Sequence, residues 1–219
     1  MKNVLLTVTA FASCACLSAQ ATPIRLDGPE TNLQQIAPSV DVINGQYAND
    51  EVWSTNGFAS VGTIVVELAG YASQNRLGIY DVYNPNNRFQ LFDGAASSGA
   101  SRAFSVSSNG QVYSNFLATS TSFGSGLFGF YLHTPAGLWF SQTGLNTDAA
   151  DHMVAYQAGG QFLLGWEDLS AKNWDQDYND FVMLVSGVKG NTQVPEPASF
   201  GLLGLGLAGI AASRRRKKA

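Results

Sequence analysis

Between about residues 22 and 194 apolar and polar positions alternate with a period of two far more often than with a period of 3.6. Thr63 to Leu68, Leu77 to Tyr83, Phe128 to Leu132, Leu138 to Ser141, Phe162 to Leu169 and Phe181 to Val185 are β-branched and aromatic runs of strand length. Turn chemistry separates them at Asn84-Pro85-Asn86-Asn87, Asp93-Gly94, Asn109-Gly110, Pro135-Ala136-Gly137 and Gly159-Gly160. Asn109-Gly110, between Phe104 to Val106 and Val112-Tyr113, predicts a hairpin because both residues tolerate positive φ. Glycine and serine are too frequent for long helices. The pattern predicts an all-β chain, an antiparallel, jelly-roll-like β-sandwich over residues 57–187. Residues 22–56 are more polar, carry Pro23, Pro29 and Pro38, and read as an extended approach with one edge strand at most. Residues 188–194 read as a linker.

The two ends depart from this pattern. Residues 1–21 have a basic start at Lys2, an apolar stretch from Val4 to Ala12 and the small-residue sequence Ala19-Gln20-Ala21, which together read as a secretory signal helix cut by signal peptidase after Ala21. A lipoprotein signal ending at Cys14 competes, although Phe11 stands where leucine is usual. Cys14 and Cys16 both lie in this segment, so the exported chain is cysteine-free and folds without disulfides.

At the other end Pro195-Glu196-Pro197 precedes an apolar run from Ala198 to Ala212, then Arg214, Arg215, Arg216, Lys217 and Lys218. As a helix this run reaches about 22 Å, against ~30 Å of bilayer hydrocarbon. It reads as a transient transmembrane anchor whose basic stop signal stays in the cytoplasm. Outside residues 1–21 and 195–219, six basic residues face fifteen acidic ones, a net charge of −9, which disfavours nucleic-acid binding.

Seven of those acids fall between residues 148 and 180, with Lys172 as the one basic residue among them. Carboxylates gathered this way need a cation, a shared proton or dispersal into water. Asp175, Asp177, Asn179 and Asp180, leading into the Phe181 strand, offer the hard oxygens that calcium takes. The segment is no EF-hand, because a strand follows it and Asp180 and Ser186 stand where that loop needs glycine and glutamate. In a straight strand alternate residues would lie about 6.5–7 Å apart, so the segment must curl to share an ion. Glu167 and Asp168 on the preceding strand supply further ligands, and Asp168 shares a face with Leu164 and Trp166, a costly place for an unpaired carboxylate. Solvated Asx turns are the plain alternative. His152 reads as a hydrogen-bonded structural histidine, and no nucleophile elbow, Walker loop or dinucleotide fingerprint is present. No catalytic residue is assigned. Most aromatics read as core, with Trp174 in an exposed loop.

Pro-Glu-Pro, apolar helix and terminal basic cluster, in this order, closely resemble the PEP-CTERM sorting signal of Gram-negative bacteria. That resemblance implies an inner-membrane-tethered precursor handled by exosortase near Pro195 to Pro197 and then sorted to the surface or exterior in bacteria that make exopolysaccharide. Phe128 to Leu132, Ser141, Leu145-Asn146, Asp151-His152-Met153, Gly165 to Leu169 and Asp177 to Val182 look like the family DUF4114, over about residues 125–187. That likeness implies a β-rich domain of secreted or surface proteins, with acidic positions matching Glu167, Asp168, Asp177, Asn179 and Asp180. The expectation is a calcium-stabilised binding or structural module associated with exopolysaccharide, surface proteins or biofilm. A carbohydrate-active hydrolase using Glu167/Asp168 and Asp177/Asp180 is the alternative.

Overall fold

A computed structural model describes residues 22–191; the signal segment, the sorting motif and the apolar C-terminal run lie outside them. Thirteen strands form two sheets: β1 (Trp53–Thr55), β2 (Ser60–Glu67), β3 (Arg76–Asp81), β4 (Asn84–Phe92), β5 (Ser101–Val106), β6 (Gln111–Ser114), β7 (Leu117–Ser122), β8 (Leu127–His133), β9 (Leu138–Phe140), β10 (Met153–Ala158), β11 (Gln161–Trp166), β12 (Phe181–Ser186) and β13 (Val188–Gly190). One sheet runs β13-β1-β8-β3-β4, with β9 also on β8; the other runs β10-β11-β12-β2-β5-β6-β7. All named strand pairs are antiparallel.

The period of two decides what lies between the sheets. Leu77 and Ile79 of β3 and Phe128, Phe130 and Leu132 of β8 face Phe162, Leu164 and Trp166 of β11 and Phe181, Met183 and Val185 of β12 in one core. Aromatic edges interlock across it, Trp53 against Phe162 at 4.9 Å and Phe104 against Phe128 at 5.9 Å between ring centroids. The all-β, two-sheet expectation therefore holds. No helix of the described residues is long and apolar enough to cross a membrane.

Several local readings change. Asn84 to Asn87 opens β4 instead of forming a turn, and the chain turns just before it, at Val82-Tyr83. Pro85 is tolerated there because β4 is an edge strand that needs no N–H from it. The expected hairpin at Asn109-Gly110 is present, with positive φ only at Gly110. A tighter one follows: Ser114 pairs with Leu117, and Asn115 and Phe116 take φ of 47° and 68°, as a two-residue primed turn requires. Left-handed backbone costs an L-residue about 1–2 kcal/mol, partly offset in glycine by about 0.4–1 kcal/mol of unfolded-chain entropy. Phe116→Gly is thus expected to raise stability by about 0.5–1 kcal/mol, read as a higher urea midpoint with unchanged slope; a lower midpoint would refute this account of the turn.

Val188–Gly190, within the expected linker, is a strand paired to β1. The chain crosses from one sheet to the other at Gly187, whose φ is 69° and whose carbonyl accepts from Asn56 N–H at 2.6 Å and Ser60 Oγ at 2.9 Å. A Cβ on Gly187 would meet the Ala59 carbonyl oxygen at 2.3 Å, so only glycine fits the corner.

Residues 22–56 are also more than an approach. A short helix α1 (Leu33–Ile36), with a capping box between Asn32 and Gln35, places Leu33 on the outer face of β10 to β12, where it joins Val40, Val42, Val154, Tyr156, Leu163 and Val182 in a second core. This cover holds the loop before β12: Arg25 N–H donates to the Gln176 carbonyl at 2.7 Å, and Asn179 Nδ2 donates to the Thr31 carbonyl at 2.8 Å.

Candidate metal centre

Glu167 and Asp168 follow the last residue of β11, and neighbouring residues of an extended chain point to opposite sides. Asp168, with Trp166, points to the core side, as expected, while Glu167 points to the outer side, beneath the loop from Asp175 to Asp180. That loop curls as sharing an ion demands. Gln176 and Tyr178 take left-handed φ of 67° and 55°, reversing the backbone on either side of Asp177. Asn179, the residue type that tolerates positive φ most readily, does not adopt it here. Tyr178 is held at positive φ by burial and by donating its hydroxyl to the Asp151 carbonyl at 2.7 Å.

The curl brings Glu167, Asp175 and Asp177 together, with one carboxylate oxygen from each within 4.8 Å of the others. Glu167 is 0% exposed and Asp177 2%, whereas Asp175 opens to solvent. Glu167 Oε1 accepts the Tyr178 N–H at 2.9 Å, but Oε2 is buried with no partner. Asn179 donates Nδ2 to Asp177 Oδ2 at 2.6 Å and to Thr31, leaving its own buried Oδ1 without a donor. Three carboxylates, one with an orphaned oxygen, and the orphaned Asn179 Oδ1 in the same loop make a site rich in electron pairs and poor in protons.

The electrostatics agree. Burial pushes Glu167 up to about 8, with Asp180, Asp175 and Asp177 adding repulsion against the downward pull of the Tyr178 N–H. Burial and then Asp175 push Asp177 up to about 6, with Glu30 contributing. A cation would reverse these penalties. The donor set, all carboxylate and amide oxygen, suits calcium, and no cysteine or histidine belongs to the group.

Asp168 and Asp180 fall outside this triad. Asp180 Oδ2 accepts the Asp168 N–H at 2.9 Å, and Asn75 Nδ2 donates to Asp168 Oδ2 at 3.2 Å. Burial and the Asp168 charge push Asp180 up to about 8, while burial raises Asp168 despite Asn75. Glu67, at the end of β2, is pushed up to about 7 by burial, with Asp168 adding and Asn75 opposing. Sequence reading missed Glu67, Asn75 and Glu30, because each comes from a segment distant in the chain and carries no local motif.

His152 is structural, as expected. Its ring is fully buried, stacks on Trp139 at 3.9 Å and 5°, and lies 3.1 Å from Asp148 through Nε2 and 3.3 Å from the Glu167 carbonyl through Nδ1. Burial lowers its proton affinity even against Asp148. Trp174 is half-buried, not free in a loop: its ring sits 5.1 Å from His152 and 6.2 Å from Tyr178.

Residues 97–188 match the family model of a domain of unknown function, DUF4114, and residues 193–217 match the PEP-CTERM protein-sorting motif. No curated protein and no solved structure matches the chain. The first match runs from β5 to the start of β13 and contains the acidic triad. It omits β2, which lies between β12 and β5 in the sheet, so the folded unit extends upstream of it. The sorting motif implies export and processing by exosortase, and the chain is accordingly a PEP-CTERM sorting-motif protein carrying a DUF4114-like domain.

Proposed function

We propose that the exported domain is a calcium-stabilised structural or binding module of the cell surface or exopolysaccharide matrix. On this reading residues 1–21 are removed as a signal peptide, and the tail from Pro195 is a temporary tether until exosortase processes it near Pro195 to Pro197. The observation that carries the calcium reading is Glu167 Oε2, fully buried and unpartnered beside Asp175 and Asp177. Glu167, Asp175 and Asp177 would hold the ion, with Asn179 Oδ1, buried and without a donor, as a further oxygen from the same loop and water completing the shell through the exposed side at Asp175. Calcium would supply positive charge that lets buried carboxylates ionise and ties the loop before β12 to the end of β11. Hydrolysis is less well supported. Glu167 has no solvent exposure and Asp177 almost none, so a substrate would have no path to either carboxyl group.

The test is a thermal melt of residues 22–219 in mild detergent, in excess EDTA, in calcium and in magnesium. Calcium at about a hundred times its dissociation constant should add about 2.7 kcal/mol, roughly 5–11 °C in Tm, and magnesium less. Glu167→Gln keeps the shape and the acceptor for Tyr178 N–H but not the charge, so it should fold in EDTA and lose the calcium response. A calcium rise that survives in that variant would move the ion elsewhere; no rise in the parent would end the calcium reading.

A further inference from the structure

Thr22 is pinned at three atoms. Its N–H donates to Gln46 Oε1 at 2.7 Å, its carbonyl accepts from Gln46 Nε2 at 2.6 Å, and its hydroxyl donates to Asp151 Oδ2 at 2.5 Å. Gln46 is fixed in turn by a bridge to Tyr156 of β10, and Tyr47 N–H donates to the Ala155 carbonyl at 2.8 Å. Asp151 belongs to this clamp, and two further half-buried acids, Asp50 and Glu51, are near enough to repel it or one another. Burial, then Asp151 and Glu51, push Asp50 well above the usual carboxylate range, and burial pushes Asp151 up to about 6 against the Thr22 hydroxyl and the Met153 N–H.

The donors that reach these groups are neutral: Thr22 Oγ1 and Met153 N–H on Asp151, and Thr143 N–H on Glu51. Among the described residues the one ion pair is His152 with Asp148, so no lysine or arginine there serves the three acids. Half-buried carboxylates that repel one another and have no cation are a liability to the fold. The residue clamped against them is the one that the signal-peptide reading makes the first of the exported chain.

We propose that the α-ammonium group created on Thr22 when the Ala21–Thr22 peptide bond is hydrolysed is the counter-ion of Asp151, in the negative field to which Asp50 and Glu51 add, so that signal-peptide removal completes the fold. The inference rests on the cleavage site in the reading above and is independent of calcium. Hydrolysis consumes one water and breaks the carbonyl–nitrogen bond, leaving a carboxylate on Ala21 and an amine on Thr22. That amine carries a proton near neutral pH, and neighbouring carboxylates favour the charged form. In the precursor the Thr22 nitrogen has one hydrogen, already given to Gln46, and no charge. In the processed chain it has three, and two are free for the acids. The nitrogen and Oγ1 sit on adjacent carbons, which keeps the new charge close to Asp151 Oδ2. A precursor lacking this cation is less stable than the mature chain, which suits a protein that must cross a membrane unfolded.

Three forms of residues 22–219 test this in the same detergent with saturating calcium: one beginning at Thr22 after removal of an N-terminal fusion, one retaining Gly-Ser before Thr22, and one acetylated at Thr22. The free-amine form should melt higher than both others by about 3–6 °C, and Asp151→Asn should shrink that gap. Coincident melts, or a gap undiminished in Asp151→Asn, would overturn the counter-ion. N-terminal sequencing of the exported protein separates the two steps. Thr22 as first residue supports maturation as its trigger, and any other first residue overturns the trigger while the melts still report on the docking site.

Discussion

In excess EDTA the mature chain is expected to lose stability steadily as pH rises from about 5 to about 8, and saturating calcium should make that loss shallower. The sign follows from the direction of the shifts. Glu167 is pushed up to about 8 in the fold, against about 4.3 in an unfolded chain. Below the lower value the group is protonated in both states and costs nothing. Between the two values unfolding releases a proton, so each rise in pH favours the unfolded chain until the folded value is passed. Glu167 alone would account for a loss on the order of 3–5 kcal/mol, and Asp177, pushed up to about 6, adds a smaller share at lower pH. Calcium bound to the ionised carboxylates would remove the shares of the triad. Asp180, pushed up to about 8, lies outside the triad, so part of the slope survives and the difference between the two profiles is the quantity to read. Urea unfolding at half-unit pH steps measures it. Profiles that run parallel with and without calcium would detach the buried acids from the metal.

Much of this arrangement was legible in the sequence, and what was not has physical causes. Period-two runs at Leu77, Phe128, Phe162 and Phe181 became strands because one residue in two had a core to face. Asn84 to Asn87 misled because turn-forming residues are equally at home at the start of an edge strand, where half the backbone groups meet water. The cover formed by residues 22–42 was hidden because few apolar side chains, Leu33, Val40 and Val42 chief among them, do the packing in a polar segment. At the site, the pairing of Glu167 with Asp175 and Asp177 could be anticipated from charge density and the need to curl. Asp168 and Asp180 stand apart from that triad: Asp168 points to the other side of the chain from Glu167, and Asp180 accepts the Asp168 N–H. Glu67, Asn75 and the clamp at Thr22 depend on tertiary contacts between distant segments.

Replacing Trp53 by alanine is expected to cost about 3–5 kcal/mol, roughly 6–20 °C in Tm, more than any surface change. Trp53 is 0% exposed and sits where three parts of the molecule meet. Its ring packs on Phe130 of one sheet at 5.8 Å, on Phe162 of the other at 4.9 Å, and on Tyr47 of the N-terminal cover at 6.0 Å. Its indole N–H donates to the Asp50 carbonyl at 2.6 Å, fixing the segment that carries Asp50 and Glu51. Alanine would leave a cavity among rings too large to collapse into it and would free that segment at the same time. Trp53→Phe separates the two roles: it keeps most of the packing and loses the hydrogen bond, worth about 1 kcal/mol. Urea midpoints of both variants in saturating calcium read the difference without disturbing the acidic triad. If Trp53→Ala unfolds within about 1 kcal/mol of the parent, the two sheets do not depend on this ring, and the joining of cover, sheets and acidic clamp must be sought elsewhere in the core.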